Sequence, residues 1–155
     1  MSFPELIIVL AIFSALFGIT TINLLNTREK TSFTSSLTLL TSDIKQQQTK
    51  AMSLSVEGQA VTTSDYGVHF ETTTYTLFRG SSYSAADTTN FVIKLADNVA
   101  FSAVTLPSRT VIFSRQSGEV SGFSAGQNTV TIKNSQNNQQ KTIHINRYGL
   151  ITQVN

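Results

Sequence analysis

The chain of 155 residues contains no cysteine, which excludes disulfide frameworks, thiolate metal sites and cysteine nucleophiles. It has only two histidines, His69 and His144, too few for a multi-histidine metal centre. Charge is scarce: 13% of residues are Asp, Glu, Lys or Arg, against about 25% in an ordinary globular domain. Ser, Thr, Asn and Gln take the place of charge on the surface. The formal net charge of +2 is too small to announce a nucleic-acid partner by itself. No GxSxG elbow, Gly-rich phosphate loop or paired-carboxylate motif is present. These absences argue against an enzyme, a bound cofactor and a metal site. They leave both histidines with structural roles on strands.

What the chain has in abundance is apolar sequence near its start. Between Glu5 and Arg28 there is no charged residue, and the run LIIVLAIFSALFG is followed by ITTINLL. Its length matches a hydrocarbon core of ~30 Å crossed as a helix. A cleaved secretory signal would open with basic residues and end on a small-residue cleavage site. Here Glu5 stands where the positive charge should be. A buried core helix apolar on every face would need neighbours all round, so a membrane-spanning anchor fits the length best. Pro4 suits a first helical turn. Glu5 either complements the helix dipole there or pairs with a cation from another chain.

The helix is expected to continue beyond the apolar run. Phe33, Leu37, Leu40, Ile44, Ala51 and Leu54 form one apolar stripe at helical spacing. The opposite face reads Thr, Ser, Asp43, Lys45, Gln46, Gln47 and Lys50. Glu57-Gly58 supplies a stop, so one helix over residues 3–55 is expected. From Gln59 the hydrophobic period becomes two. Strands are expected near 59–63, 67–71, 73–79, 90–95, 98–105, 110–115, 119–123, 128–133, 141–147 and 149–153. An exposed loop is expected over 80–89 (GSSYSAADTT) and a polar hairpin tip over 134–140. The expected class is α+β: a long N-terminal α-helix packed on an antiparallel β-sheet domain. Its parts are an apolar transmembrane or filament-core segment (1–28), the amphipathic half of the same helix (29–56) and a β globular domain (57–155).

The segment FPELIIVLAIFSALFG resembles the N-terminus of type IV pilins and of the pseudopilins of type II secretion, whose mature apolar helix carries a glutamate at its fifth position, as Glu5 does here. The second half resembles the GspH/FimT branch of that superfamily through Tyr66-Gly-Val-His-Phe70, Tyr75-Thr-Leu-Phe78, Val111-Ile-Phe113 with Gly118 following, and Ile143-His-Ile-Asn-Arg-Tyr-Gly149. The chain departs from the family pattern in beginning with Met1 where Phe is usual, in having Pro4 for an aliphatic residue, and in lacking both a proline near residue 22 and a C-terminal disulfide. The missing basic leader is read as the mark of a processed chain.

The resemblance implies a pilin fold and a structural subunit of an extracellular type IV pilus-like filament. It implies a single pass of the cytoplasmic membrane before assembly. The implied partners are copies of itself and other pilins, a prepilin peptidase and the pilus assembly machinery. The alternatives are a minor pseudopilin of a type II secretion system and a FimT-like minor pilin that binds DNA in natural transformation. The residues expected to carry assembly are Glu5 and the α-amino group of Met1 on a neighbouring copy. A buried pair of that kind sets register more than it adds stability. Gly18, Thr20 and Thr21 are weak helix formers, so the helix is expected to melt or stretch over 14–23 inside a filament. From residue 98 onward Arg109, Arg115, Lys133, Lys141 and Arg147 face Glu119 alone. A solvated basic surface is the plain reading, and weak phosphate contact by Lys133, Lys141 and Arg147 is the alternative.

Overall fold

The computed structural model describes residues 3–53, 55–57, 60–62 and 64–154, with side chains described over 3–17, 30–53 and 64–152. The first element, α1 (Phe3–Met52), carries Glu5 in its first turn and Lys50 in its last; both signs complement the helix dipole. Phe33, Leu40, Ile44 and Ala51 are fully buried and Leu37 partly so, as the stripe requires. At the C-terminal end of the helix the Ser53 amide makes the last helical bond, to the Thr49 carbonyl at 3.0 Å, and the Ala51 carbonyl is capped by the Gln116 amide at 2.8 Å.

Among the described residues ten strands follow: β1 (Ser55–Glu57), β2 (Ala60–Thr62), β3 (Tyr66–Phe70), β4 (Thr74–Arg79), β5 (Phe91–Lys94), β6 (Val99–Val104), β7 (Thr110–Phe113), β8 (Thr129–Asn134), β9 (Gln140–Ile145) and β10 (Ile151–Val154). They form a β1–β2 pair and two four-stranded antiparallel sheets, ordered β5-β4-β3-β7 and β10-β9-β8-β6. In the first sheet Val68 lies opposite Leu77 and Val111. In the second, Val130 lies opposite Ile143 and Val104. The period-two alternation sends Val68, Phe70, Tyr75, Leu77, Val111 and Phe113 inward from one sheet, and Val130, Ile132, Ile143 and Ile145 from the other. Together with the buried stripe of α1 they make one core. Phe101, set edge-on to both Phe70 and Tyr75 at centroid distances of 5.3 and 6.4 Å, joins the two sheets there.

Several expectations are corrected. Among the described residues no helix is long and apolar enough to cross a membrane. The transmembrane half of the expected architecture does not stand. The single antiparallel sheet is replaced by two sheets and a separate strand pair. The helix ends three residues early, because Ser55–Glu57 pairs with Ala60–Thr62 through Val56 opposite Val61; Gly58 lies outside the described residues. The expected strand over 119–123 is a single bridge between Phe113 and Val120. Gly118 and Gly122, both at positive φ, bend that segment out of a ladder. Gln47, expected on the polar face, is 2% exposed and fills the stripe position between Ile44 and Ala51.

Candidate functional site

The outer face of the first sheet, turned away from α1, carries Gly67, His69, Thr76, Phe78, Thr110 and Ile112 by alternation with the buried set. This face is not left bare. The loop after β4 turns at Gly80 (φ 131°), where the Gly80 amide donates to the Asp65 carbonyl at 2.8 Å. It then folds back so that Tyr83 stacks flat on His69, ring centroids 4.0 Å apart and planes within 9°. Phe78 meets the same Tyr83 ring edge-on at 5.5 Å. The far end of the loop is tied by the Thr89 amide and hydroxyl, which donate to the Asp87 carboxylate at 2.9 and 2.8 Å. Those bonds hold the Asp87 carboxyl below its ordinary pKa.

Beside this stack lies a cleft of about 440 Å³, within the ~300–1,000 Å³ range of small-molecule sites. His69 and Tyr83 line one side, Pro107 and Ser108 of the turn another, and the segment 120–128 closes it. The turn is strained: Ser108 and Arg109 hold φ of 49° and 54°, a region costly for residues with a Cβ. Arg109 is locked there by donating to the Phe70 and Glu71 carbonyls, both at 2.8 Å. Asn128 secures the opposite wall by donating from Nδ2 to the Ile145 carbonyl at 3.0 Å.

The hydrogen bonds fix the state of His69. The Thr110 hydroxyl donates its one proton to the Ser108 carbonyl at 2.9 Å. Its contact with His69 Nδ1, also 2.9 Å, therefore has Nδ1–H as donor. Burial holds the His69 pKa below the ordinary 6.5; Glu71 pulls it up and Arg109 pushes it down. The ring is thus neutral at neutral pH, with Nε2 an acceptor.

A second, wider groove of about 750 Å³ runs between α1 and the β4–β5 edge, lined by Leu39, Gln47, Leu77, Phe91 and Val92 among others. The Gln47 side-chain carbonyl is buried without a hydrogen-bond partner. Phe91 and Val92 on the edge strand are 65% and 61% exposed. Among the described residues no group of three or more His, Asp or Glu could hold a metal ion.

No family model, curated protein or solved structure matches this chain.

The residues singled out in the sequence do not gather at either cleft. Glu5 stands in the first turn of α1, and its expected partner Met1 lies outside the described residues. Gly18, Thr20 and Thr21 fall within the helical span of α1, and their side chains are outside the described set. Lys133 on β8 is paired with Gln140, whereas Lys141 on β9 is paired with Ile132. Cross-strand partners share a face and neighbours along a strand do not, so the two lysines point to opposite faces of the sheet. Arg147 lies beyond β9, where its carbonyl accepts from the Val120 amide at 2.9 Å. The three cations do not form one patch. His144 faces outward opposite Thr129. Tyr83, Thr110, Gln127 and Asn128 were not anticipated at a site. The one aromatic residue inside the polar stretch GSSYSAADTT was the signal that could have marked the first of them.

Proposed function

We propose that the chain is a structural subunit of an extracellular helical filament of the type IV pilin kind, assembled by packing the N-terminal parts of α1 from many copies against one another. One observation carries this reading. Ten large apolar side chains between Phe3 and Phe17 are 40–78% exposed. Five of them are consecutive, Leu6 to Leu10, and at 100° per residue five consecutive positions reach every face of a helix. A single copy leaves this surface in water at about 25 cal/mol per Å², and soluble monomers seldom tolerate so large an apolar patch. Neighbouring helices of the same kind would cover it from all sides.

Within such a bundle Glu5, the only charged side chain in the first 27 residues, is placed to pair with a cation of an adjacent copy. Removing one partner of a buried pair costs on the order of 3–5 kcal/mol, repeated at every subunit. Glu5→Ala is therefore expected to fold normally and yet be absent from surface filaments when it is the only copy, as read by electron microscopy and mass spectrometry of sheared material. Filaments in normal number from that variant would reduce Glu5 to a helix cap worth ~0.3–1 kcal/mol and remove the intersubunit pair.

A further inference from the structure

The cleft beside His69 and Tyr83 has an unusual balance of chemistry. None of its lining residues is Asp, Glu, Lys or Arg. His69, whose burial disfavours the imidazolium, donates Nδ1–H to the Thr110 hydroxyl, which itself donates to the Ser108 carbonyl; the neutral ring keeps Nε2 as an acceptor. An ionic ligand entering here would lose its hydration and meet no counter-charge. A purely apolar ligand would strand the hydroxyl and amide groups of Ser108, Gln127 and Asn128. The ring surface of Tyr83 and Phe123 and the side chains of Leu106 and Ile145 lie among those polar groups. Such a lining suits a ligand that is uncharged, rich in hydroxyls and apolar on one face.

We propose that this cleft binds a neutral carbohydrate. A pyranose presents a face of C–H groups that packs on an aromatic ring, and a rim of hydroxyls that both donate and accept. The Tyr83 ring is held in place for the first role by the flat stack on His69 and the edge contact with Phe78. For the second, the cleft offers Nε2 of His69 and Oδ1 of Asn128 as acceptors, and the bond of Asn128 Nδ2 to the Ile145 carbonyl fixes the orientation of that amide. The Gln127 amide and the Ser108 hydroxyl can act in both senses. Backbone strain at Ser108 and Arg109, held by the three hydrogen bonds of Arg109 and Thr110, is of the kind stored where a ligand is clamped.

The test is saturation-transfer NMR on the full chain in a zwitterionic detergent that contains no sugar. The probes are methyl glucopyranoside, methyl galactopyranoside and lactose, with glucuronate and glucose 6-phosphate as charged counterparts, each at about 10 mM to reach millimolar affinities. Neutral sugars should show transfer and the charged ones should not. Tyr83→Ala should weaken binding roughly tenfold, and Gln127→Ala, at an exposed position outside the core, should weaken it several-fold without touching the fold. No transfer from any neutral sugar, equal or better binding of the anionic sugars, or binding that survives both substitutions would each overturn the assignment. The measurement reads a ligand on single copies, so its outcome is independent of whether the chain polymerises.

Discussion

The Tyr75 hydroxyl donates to the Asp43 carboxylate at 2.6 Å, and this bond fastens the first sheet to α1. Tyr75 is fully buried in the core, while Asp43 sits half-exposed on the flank of the helix. Burial, the hydrogen bond and the negative charge of Asp43 together keep the Tyr75 hydroxyl protonated far above its ordinary range. Sequence periodicity placed Asp43 on the polar face of α1, which is correct locally. It could not show that a core tyrosine 32 residues on would reach out to it.

Tyr75→Phe removes the donor and leaves the ring. A hydrogen bond to a charged group contributes ~1.5–3 kcal/mol when shielded; with Asp43 partly in water the loss should be about 1–2 kcal/mol. In a chain of this size that lowers the melting temperature by about 3–6 °C. Asp43→Asn keeps an acceptor oxygen and should cost less. A Tyr75→Phe variant as stable as the parent in thermal unfolding would show that water replaces the carboxylate at no cost.

The burial of His69 makes stability depend on pH with a definite sign. The folded chain binds the His69 proton more weakly than the unfolded chain, because burial disfavours the imidazolium; Glu71 opposes this and Arg109 adds to it. Below about pH 6.5 the unfolded state therefore holds more protons, and stability falls as pH is lowered. The loss levels off once the folded-state pKa has been passed. Denaturant titrations at about pH 7, 6 and 5 should show a steeper decline for the parent chain than for His69→Gln. Identical slopes for the two, or a parent chain that gains stability in acid, would remove His69 from this role.

How much of this was legible in the sequence depends on which physical signal each part gives. The stripe Phe33–Leu40–Ile44–Ala51 was readable because apolar residues recur at helical spacing, and all four are buried. Gln47 was misread because its side chain looks polar, although its spacing from Ile44 and Ala51 placed it on the same stripe. The strands over 66–70, 74–79 and 129–134 followed from alternation. The split into two sheets did not, since alternation specifies faces and not partners. The cleft was the least legible part. It is assembled by a loop that looked exposed, by a strained turn at Ser108, and by the Asn128 side chain reaching the backbone carbonyl of Ile145, 17 positions on. None of these has a local pattern. The exposed apolar surface of Phe3–Phe17, by contrast, was visible at once, because no periodicity interrupts it.

Gly67 is the position where a single methyl group should do the most damage to the outer face. A Cβ there would run into the Phe78 ring and stand 2.7 Å from the Val111 carbonyl oxygen. The glycine backbone itself is ordinary strand, so the demand is for space and not for a special φ. Phe78 cannot retreat easily: it is 3% exposed and its ring already meets Tyr83 edge-on. The Val111 carbonyl belongs to β7, which pairs with β3 across this position through Gly67 opposite Ile112. Overpacking of this kind costs about 1–3 kcal/mol, and Gly67→Ala should fall near the upper end. It should also push Tyr83 off His69, because the three rings are in one chain of contacts. Phe78→Leu in the same chain should restore part of the stability and not all of it, since the ring is relieved and the carbonyl is not. Full recovery in the double variant would mean that the strand gives way around Val111. A neutral Gly67→Ala in urea unfolding would mean that Phe78 does not cover β3, and the support for the Tyr83 stack would go with it.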